Sequence, residues 1–144
     1  MSTMCLIARQ TSEDEYRAIY CHSDGYPSYT GAMLVNYCNT PEKVDKLLKL
    51  GDLSILKKKL DPDPHYPHNF EERQDDVTVA YGRDRGEKNV GARTLSLQAL
   101  DDPANWVSYV YIFTMDNRWK YFRYRHSVEG LRDVAADLTR GKTA

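Results

Sequence analysis

Phenylalanine and tryptophan are scarce in this chain: 3 Phe and 2 Trp stand against 11 Tyr in 144 residues. An aromatic core without polar tips is thereby excluded, because tyrosine pairs a flat apolar face with a hydroxyl that must find water, a partner or a ligand. Cysteine is sparse as well. Cys5, Cys21 and Cys38 are an odd number with no CxxC pair, which argues against a disulfide framework and for reduced thiols in a cytosolic setting. No apolar run approaches the roughly 20 residues that cross a bilayer, and no signal peptide opens the chain, so no membrane partner and a cytoplasmic location are expected. Charge of one sign is lacking too: 20 Lys and Arg against 21 Asp and Glu leave a net charge of −1. Without a global field, nonspecific binding to nucleic acid is disfavoured. Neither GxxxxGK[ST] nor GxGxxG occurs, so a standard nucleotide fold is not indicated and no cofactor is expected. There is no internal repeat and no low-complexity linker.

What is present fits a single α+β domain over residues 1–144, large enough to bury a core without staples. Residues 4–9 and 16–22 read as two strands around the polar turn Thr11-Ser12-Glu13-Asp14, a hairpin. Ser28 is placed to cap a helix reaching Tyr37. Thr40-Pro41-Glu42 opens a cleaner one whose buried stripe is Val44, Leu47, Leu48 and Leu50, stopped by Gly51. Asp52 is placed to cap a further short helix bearing Leu53, Leu56 and Leu60. Residues 61–76 form an acidic, proline-containing loop long enough for a lid or a partner contact. Residues 77–81 read as a strand entering the charged loop Gly82-Arg83-Asp84-Arg85-Gly86, and Thr94 lies in another short strand. Residues 107–114 (VSYVYIFT) are apolar on both faces, the mark of a central strand, and return through Asp116-Asn117 into residues 119–125. Ser127 is placed to cap a last helix with Val128, Leu131, Val134, Ala135 and Leu138, before a flexible tail over residues 141–144. Strands at both ends with helices between predict an antiparallel sheet of about five strands with helices packed on one face.

Two stretches concentrate chemistry. Tyr20-Cys21-His22-Ser23-Asp24-Gly25-Tyr26-Pro27-Ser28-Tyr29 joins a strand to a helix through turn dipeptides, with Gly25 expected at positive φ. His22 and Asp24, two apart on an extended chain, fall on one side, where a carboxylate orients an imidazole for acid–base work; the plainer alternative is an Asx-turn with a backbone-bonded histidine. Tyr81-Gly82-Arg83-Asp84-Arg85-Gly86-Glu87 brings two arginine forks, suited to phosphate or carboxylate, or else paired with Asp84 and Glu87 on a surface loop. His65 and His68 sit near Asp61 and Asp63, but prolines interrupt the spacing, and a solvated loop is preferred to a metal site. The basic strip Arg118-Trp119-Lys120-Tyr121-Phe122-Arg123-Tyr124-Arg125-His126 fits a protected edge strand better than a base-stacking surface.

The two motifs, with Asn39-Thr40-Pro41-Glu42-Lys43-Val44, Leu50-Gly51-Asp52-Leu53-Ser54 and Tyr109-Val110-Tyr111 between and after them, resemble a group of small proteins from phages, prophages and other mobile elements. Most of residues 4–122 are covered. The fourth motif position, commonly Trp or Phe in that group, is Ser23 here, which removes one aromatic wall. The resemblance implies an accessory viral gene acting in the host cytoplasm, where inhibitors of host defence are frequent. Three readings follow. In the first, the protein binds and sequesters a nucleotide-derived immune signal, with Tyr26, Tyr29 and Tyr81 on the base and Arg83, Arg85 and His22 on phosphates, Asp24, Asp84 and Glu87 completing the two motifs. In the second, an anti-CRISPR-like inhibitor contacts a host defence protein through the acidic loop. In the third, a small phosphodiesterase or nuclease uses His22 with Asp24. A homo-oligomer is expected from the tyrosine-rich sheet.

Overall fold

A computed structural model describes residues 3–140. The first element pair is the expected hairpin, β1 (Cys5–Ser12) against β2 (Glu15–Cys21), in register from Cys5 opposite Cys21 to Gln10 opposite Tyr16, with a shift before Ser12 meets Glu15. The strand over Tyr109–Phe113 is central, as its two apolar faces predict, and all five of its residues are buried. Its neighbour on one side, however, is β1, and the two run parallel with Cys5 opposite Tyr109.

Numbered in chain order, the remaining strands are β3 (Leu53–Ile55), β4 (Val79–Ala80), β5 (Arg93–Leu95), β6 (Tyr109–Phe113), β7 (Trp119–Arg123) and β8 (Arg132–Asp133). The sheet order is β4-β3-β2-β1-β6-β7-β8, with β5 also on β2. Among the described residues the sheet is therefore mixed and has eight strands, not antiparallel with about five. β3 joins the outer edge of β2 in parallel at Cys21–Leu53, and β5 joins the same edge antiparallel along Tyr16, Arg17 and Ala18. β7 is not an edge strand, since β8 covers it at Lys120 and Tyr121. Residues 3 or fewer to a strand, as in β3, β4, β5 and β8, carry too little alternation to be seen in sequence.

Layering follows strand parity. On one face Ile7, Ile19, Tyr111 and Phe113 pack under α1 (Ala32–Tyr37), α2 (Pro41–Leu50) and the C-terminal helix Val134–Thr139. On the other, Leu6, Ala8, Ala18, Val110, Ile112 and Phe122 pack under the short helix Leu97–Leu100. Among the described residues helices thus cover both faces, three on one and one on the other. With α3 (Tyr81–Arg85) following β4, these last two become α4 (Leu97–Leu100) and α5 (Val134–Thr139).

Local signals decide some boundaries and mislead at others. The Thr40 hydroxyl accepts the Lys43 N–H at 3.3 Å and opens α2, which ends at Gly51 as expected. Asp52 caps nothing. Its carboxylate accepts the Tyr20 N–H at 2.9 Å and its carbonyl the Tyr81 N–H at 3.1 Å, so Leu53 enters a strand instead of a helix. Pro27, not Ser28, begins the first helical segment, a π-helical turn (Pro27–Gly31) that feeds α1. Ser127 begins a 3-10 turn, and α5 is capped by Asp133, which accepts the Ala136 N–H at 2.9 Å. Residues 141–144, expected as a tail, lie outside the described residues. Among the described residues no helix is long and apolar enough to cross a membrane.

Candidate functional site

β2 delivers the first motif onto β3: the His22 N–H donates to Leu53 O at 3.0 Å and the Ser23 N–H to Ser54 O at 2.9 Å. The His22 ring turns back along its own face to the Tyr20 hydroxyl, 2.8 Å from Nδ1, and not to Asp24, so the acid–base pair expected from their spacing is not formed. Asp24 itself carries the left-handed conformation, with φ of 53°. Gly25 is needed for closeness. A β-carbon there would lie 2.9 Å from Cys5 Cβ and 2.9 Å from Thr3 O, because the turn is drawn onto β1 by the Gly25 N–H to Thr3 O bond at 2.7 Å. The buried Tyr111 hydroxyl donates to Gly25 O at 2.7 Å and fixes the turn from the sheet side. Tyr26 then packs against the helix-side core, with Tyr29 edge-on to it at 6.4 Å.

The second motif is a one-turn helix rather than a loop between glycine hinges. Only Gly86 takes positive φ, 71°, as the left-handed cap of α3. Asp84 is buried and structural: it accepts the Ala80 N–H at 2.8 Å and the Arg83 Nε at 2.8 Å, with His68 Nε2 at 3.4 Å. Arg83 spends its remaining donors on Leu60 O at 2.6 Å and Thr78 O at 2.8 Å. Neither residue offers a free group to a ligand. Arg85, two positions on, is exposed; its guanidinium lies 4.5 Å from the Phe70 ring centre and 5.1 Å from that of Tyr81, and its Nε donates to Glu87 at 2.6 Å. Phe70 and Tyr81 stack at 5.4 Å.

Phe70 reaches this position because the acidic loop is closed on itself. Gln74 donates to Asp63 O at 3.0 Å and Tyr66 O at 3.1 Å, and the buried His68 ring accepts the Gln74 N–H at 3.0 Å while lying 3.1 Å from Thr78 O. His65 pairs with Asp63 at 3.0 Å on the surface. Through His68 the loop is tied to Thr78, just before β4.

Asp52 brings the two motifs together, one bond to each. Two clusters make up the resulting shelf at the β2-β3-β4 end of the sheet, Tyr20 with His22 and Tyr81 with Phe70, Arg85 and Glu87, near enough for Tyr81 to act on the Tyr20 phenol. Burial, followed by the nearby Tyr81 and other groups, pushes the Tyr20 phenol up to about 12. Burial also raises Tyr81, against the opposing bond to Ser54 and the charge of Arg85. Burial and then Asp24 raise Tyr29. The phenols therefore stay neutral and available as donors. The residues expected in one site are divided: His22, Tyr81, Arg85 and Glu87 share the shelf, Asp84 is buried with Arg83 braced on it and on backbone carbonyls, and Tyr26 with Tyr29 lies on the opposite face, the one under α1, α2 and α5. Tyr20 and Phe70 are additions. A lone Phe in an acidic loop was the available signal for one, and its parity with His22 for the other.

Comparisons with known protein families, curated proteins and solved structures find no match to this chain.

Proposed function

We propose that this protein binds a nucleotide-derived signal and sequesters it, in the phage counter-defence setting that its motifs imply, acting in the host cytoplasm without turning the ligand over. The observation that carries the reading is the double use of Asp52, which sets the stacked Phe70–Tyr81 pair and the Arg85 cation beside the Tyr20–His22 pair. A planar base finds aromatic and guanidinium faces there, and its phosphates find the outer guanidinium edge and an imidazole. Capture rather than catalysis is supported by His22 bonding to Tyr20, which leaves it without a carboxylate to orient it.

Native mass spectrometry of protein purified from infected cells tests this, since it reports bound small molecules and any homo-oligomer together. The expected result is a bound nucleotide, released chemically unchanged by heating and lost from folded His22→Ala and Arg85→Ala variants. A hydrolysed product would replace the reading with the phosphodiesterase one. Inhibition by contact with a host defence protein is the second reading, favoured by Glu71, Glu72, Asp75 and Asp76, which stay exposed on an internally braced loop. Undiminished capture of a host protein after neutralising those four would count against it.

A further inference from the structure

The β1–β2 hairpin sets two arginines side by side. Arg9 and Arg17 are register partners, on the face that carries Ile7 and Ile19 and lies under α2. Like charges directly opposite on a sheet repel. Asp45 of α2 relieves one of them through its ion pair with Arg9. Arg17 is exposed and, among the described residues, makes no ion pair and no side-chain hydrogen bond. The carboxylate two positions back, Glu15, accepts from the Thr11 hydroxyl at 2.8 Å instead.

Both guanidinium groups border a cavity of about 300 Å³, whose other walls include Asp45 and Leu48 of α2 and Met115 and Asn117 of the β6–β7 turn. β1 and β6 run parallel and both end beside it, with Arg9 opposite Phe113. The space beyond the carboxyl ends of parallel strands is a recurrent place for ligands. The cavity is at the lower end of the roughly 300–1,000 Å³ of small-molecule sites. Two cations and one anion leave its lining with one uncompensated positive charge. That balance suits a ligand with a single negative charge, and the Asp45 carboxylate opposes one with more. The Arg17 fork matches the paired oxygens of a carboxylate. The Asn117 amide, which makes no side-chain hydrogen bond among the described residues, adds a donor. Leu48 and the adaptable Met115, 64% exposed, give the rest of the ligand an apolar surface.

We propose that the cavity between Arg9, Arg17 and Met115 binds a small organic monocarboxylic acid with an apolar body. Arg17 takes the carboxylate, the Asn117 amide donates to it, and Leu48 and Met115 cover the hydrocarbon. Tyr20 lies further along β2 and on the opposite face of the sheet. The site is thus separate from the Tyr20–His22 shelf and does not rest on the function proposed for that shelf.

Amide NMR titration of the full chain with hexanoate, hexanamide, acetate and dimethyl phosphate tests the assignment, at about pH 7 where both acids are ionised. Hexanoate should saturate and shift the amides of Arg9, Arg17, Leu48, Met115 and Asn117, binding about tenfold or more tighter than the other three. Arg17→Gln should weaken it about tenfold, and Met115→Ala about two- to fivefold. Both positions are exposed, so both variants should fold. Hexanamide or dimethyl phosphate bound as tightly as hexanoate, shifts confined to other residues, no saturation below about 50 mM, or an affinity within about twofold in the Arg17→Gln protein would each overturn the proposal.

Discussion

Replacing Asp84 decides whether the second motif is scaffold or ligand contact. Its side chain is 2% exposed and that of Arg83 is 25% exposed, so their bond is screened by protein more than by water. Truncation to alanine removes the acceptor for the Ala80 N–H and the partner of Arg83 Nε, each bonded at 2.8 Å. Breaking a buried pair costs about 3–5 kcal/mol; because Arg83 retains two carbonyls and some access to water, about 2–4 kcal/mol is expected here. Asp84→Asn keeps the shape and an acceptor but loses the charge, for about 1–2 kcal/mol. With Arg83→Met, a double-mutant cycle should return a coupling of about 1–3 kcal/mol. Urea unfolding is the assay, with the midpoint moving and the slope constant. An Asp84→Asn protein as stable as the parent but unable to hold ligand would refute the structural assignment and restore Arg83 and Asp84 to the binding site.

Three further outcomes are expected. Gly25→Ala forces a β-carbon against Cys5 Cβ and Thr3 O and should lower stability by about 1–3 kcal/mol in thermal or urea unfolding; an unchanged midpoint would mean that the turn does not need this closeness. Burial pushes the Cys38 thiol up to about 12 and raises Cys5 well above its usual value, so neither should react with a disulfide reagent at pH 8 until the chain unfolds. Labelling of either in the folded protein at the rate of a free thiol would contradict that. Burial alone would raise Asp137, but bonds from Tyr121 and Arg132 outweigh it and hold the carboxyl below its ordinary 3.8. Asp133 is likewise lowered, burial being outweighed by the Ala136 N–H and Arg118. A depressed folded value means that this stability is complete above about pH 4 and is lost as pH falls through the lower folded values. Asp137→Asn should flatten the acid limb of a pH–stability curve, and an unaltered limb would exclude the effect.

The features legible in the chain are those written in neighbouring residues. Thr40-Pro41 with Gly51, the first hairpin and the two-sided apolar run of β6 were each decided within a few positions. Strand direction was not. Nothing in residues 5–12 distinguishes pairing with a parallel partner from pairing with an antiparallel one, so the β1–β6 match stayed hidden. Asp52 and Ser127 looked like helix caps because a cap signal is only a free side-chain acceptor, and each spends that acceptor or hydroxyl elsewhere. The same limit applies to the site. Arg83 and Arg85 are alike in sequence, and only the carbonyls of Leu60, 23 residues back in the chain, and of Thr78, just before β4, separate the braced one from the more open one.

The placement of β1 between β2 and β6 has a consequence for how the molecule is made. β1 precedes β6 in the chain by about a hundred residues and is an interior strand, so its second edge has no mate until Tyr109–Phe113 has been synthesised. Until then the nascent hairpin carries an open row of amides and carbonyls, so closing this ladder, with its long chain loop, is the step expected to govern the rate of folding.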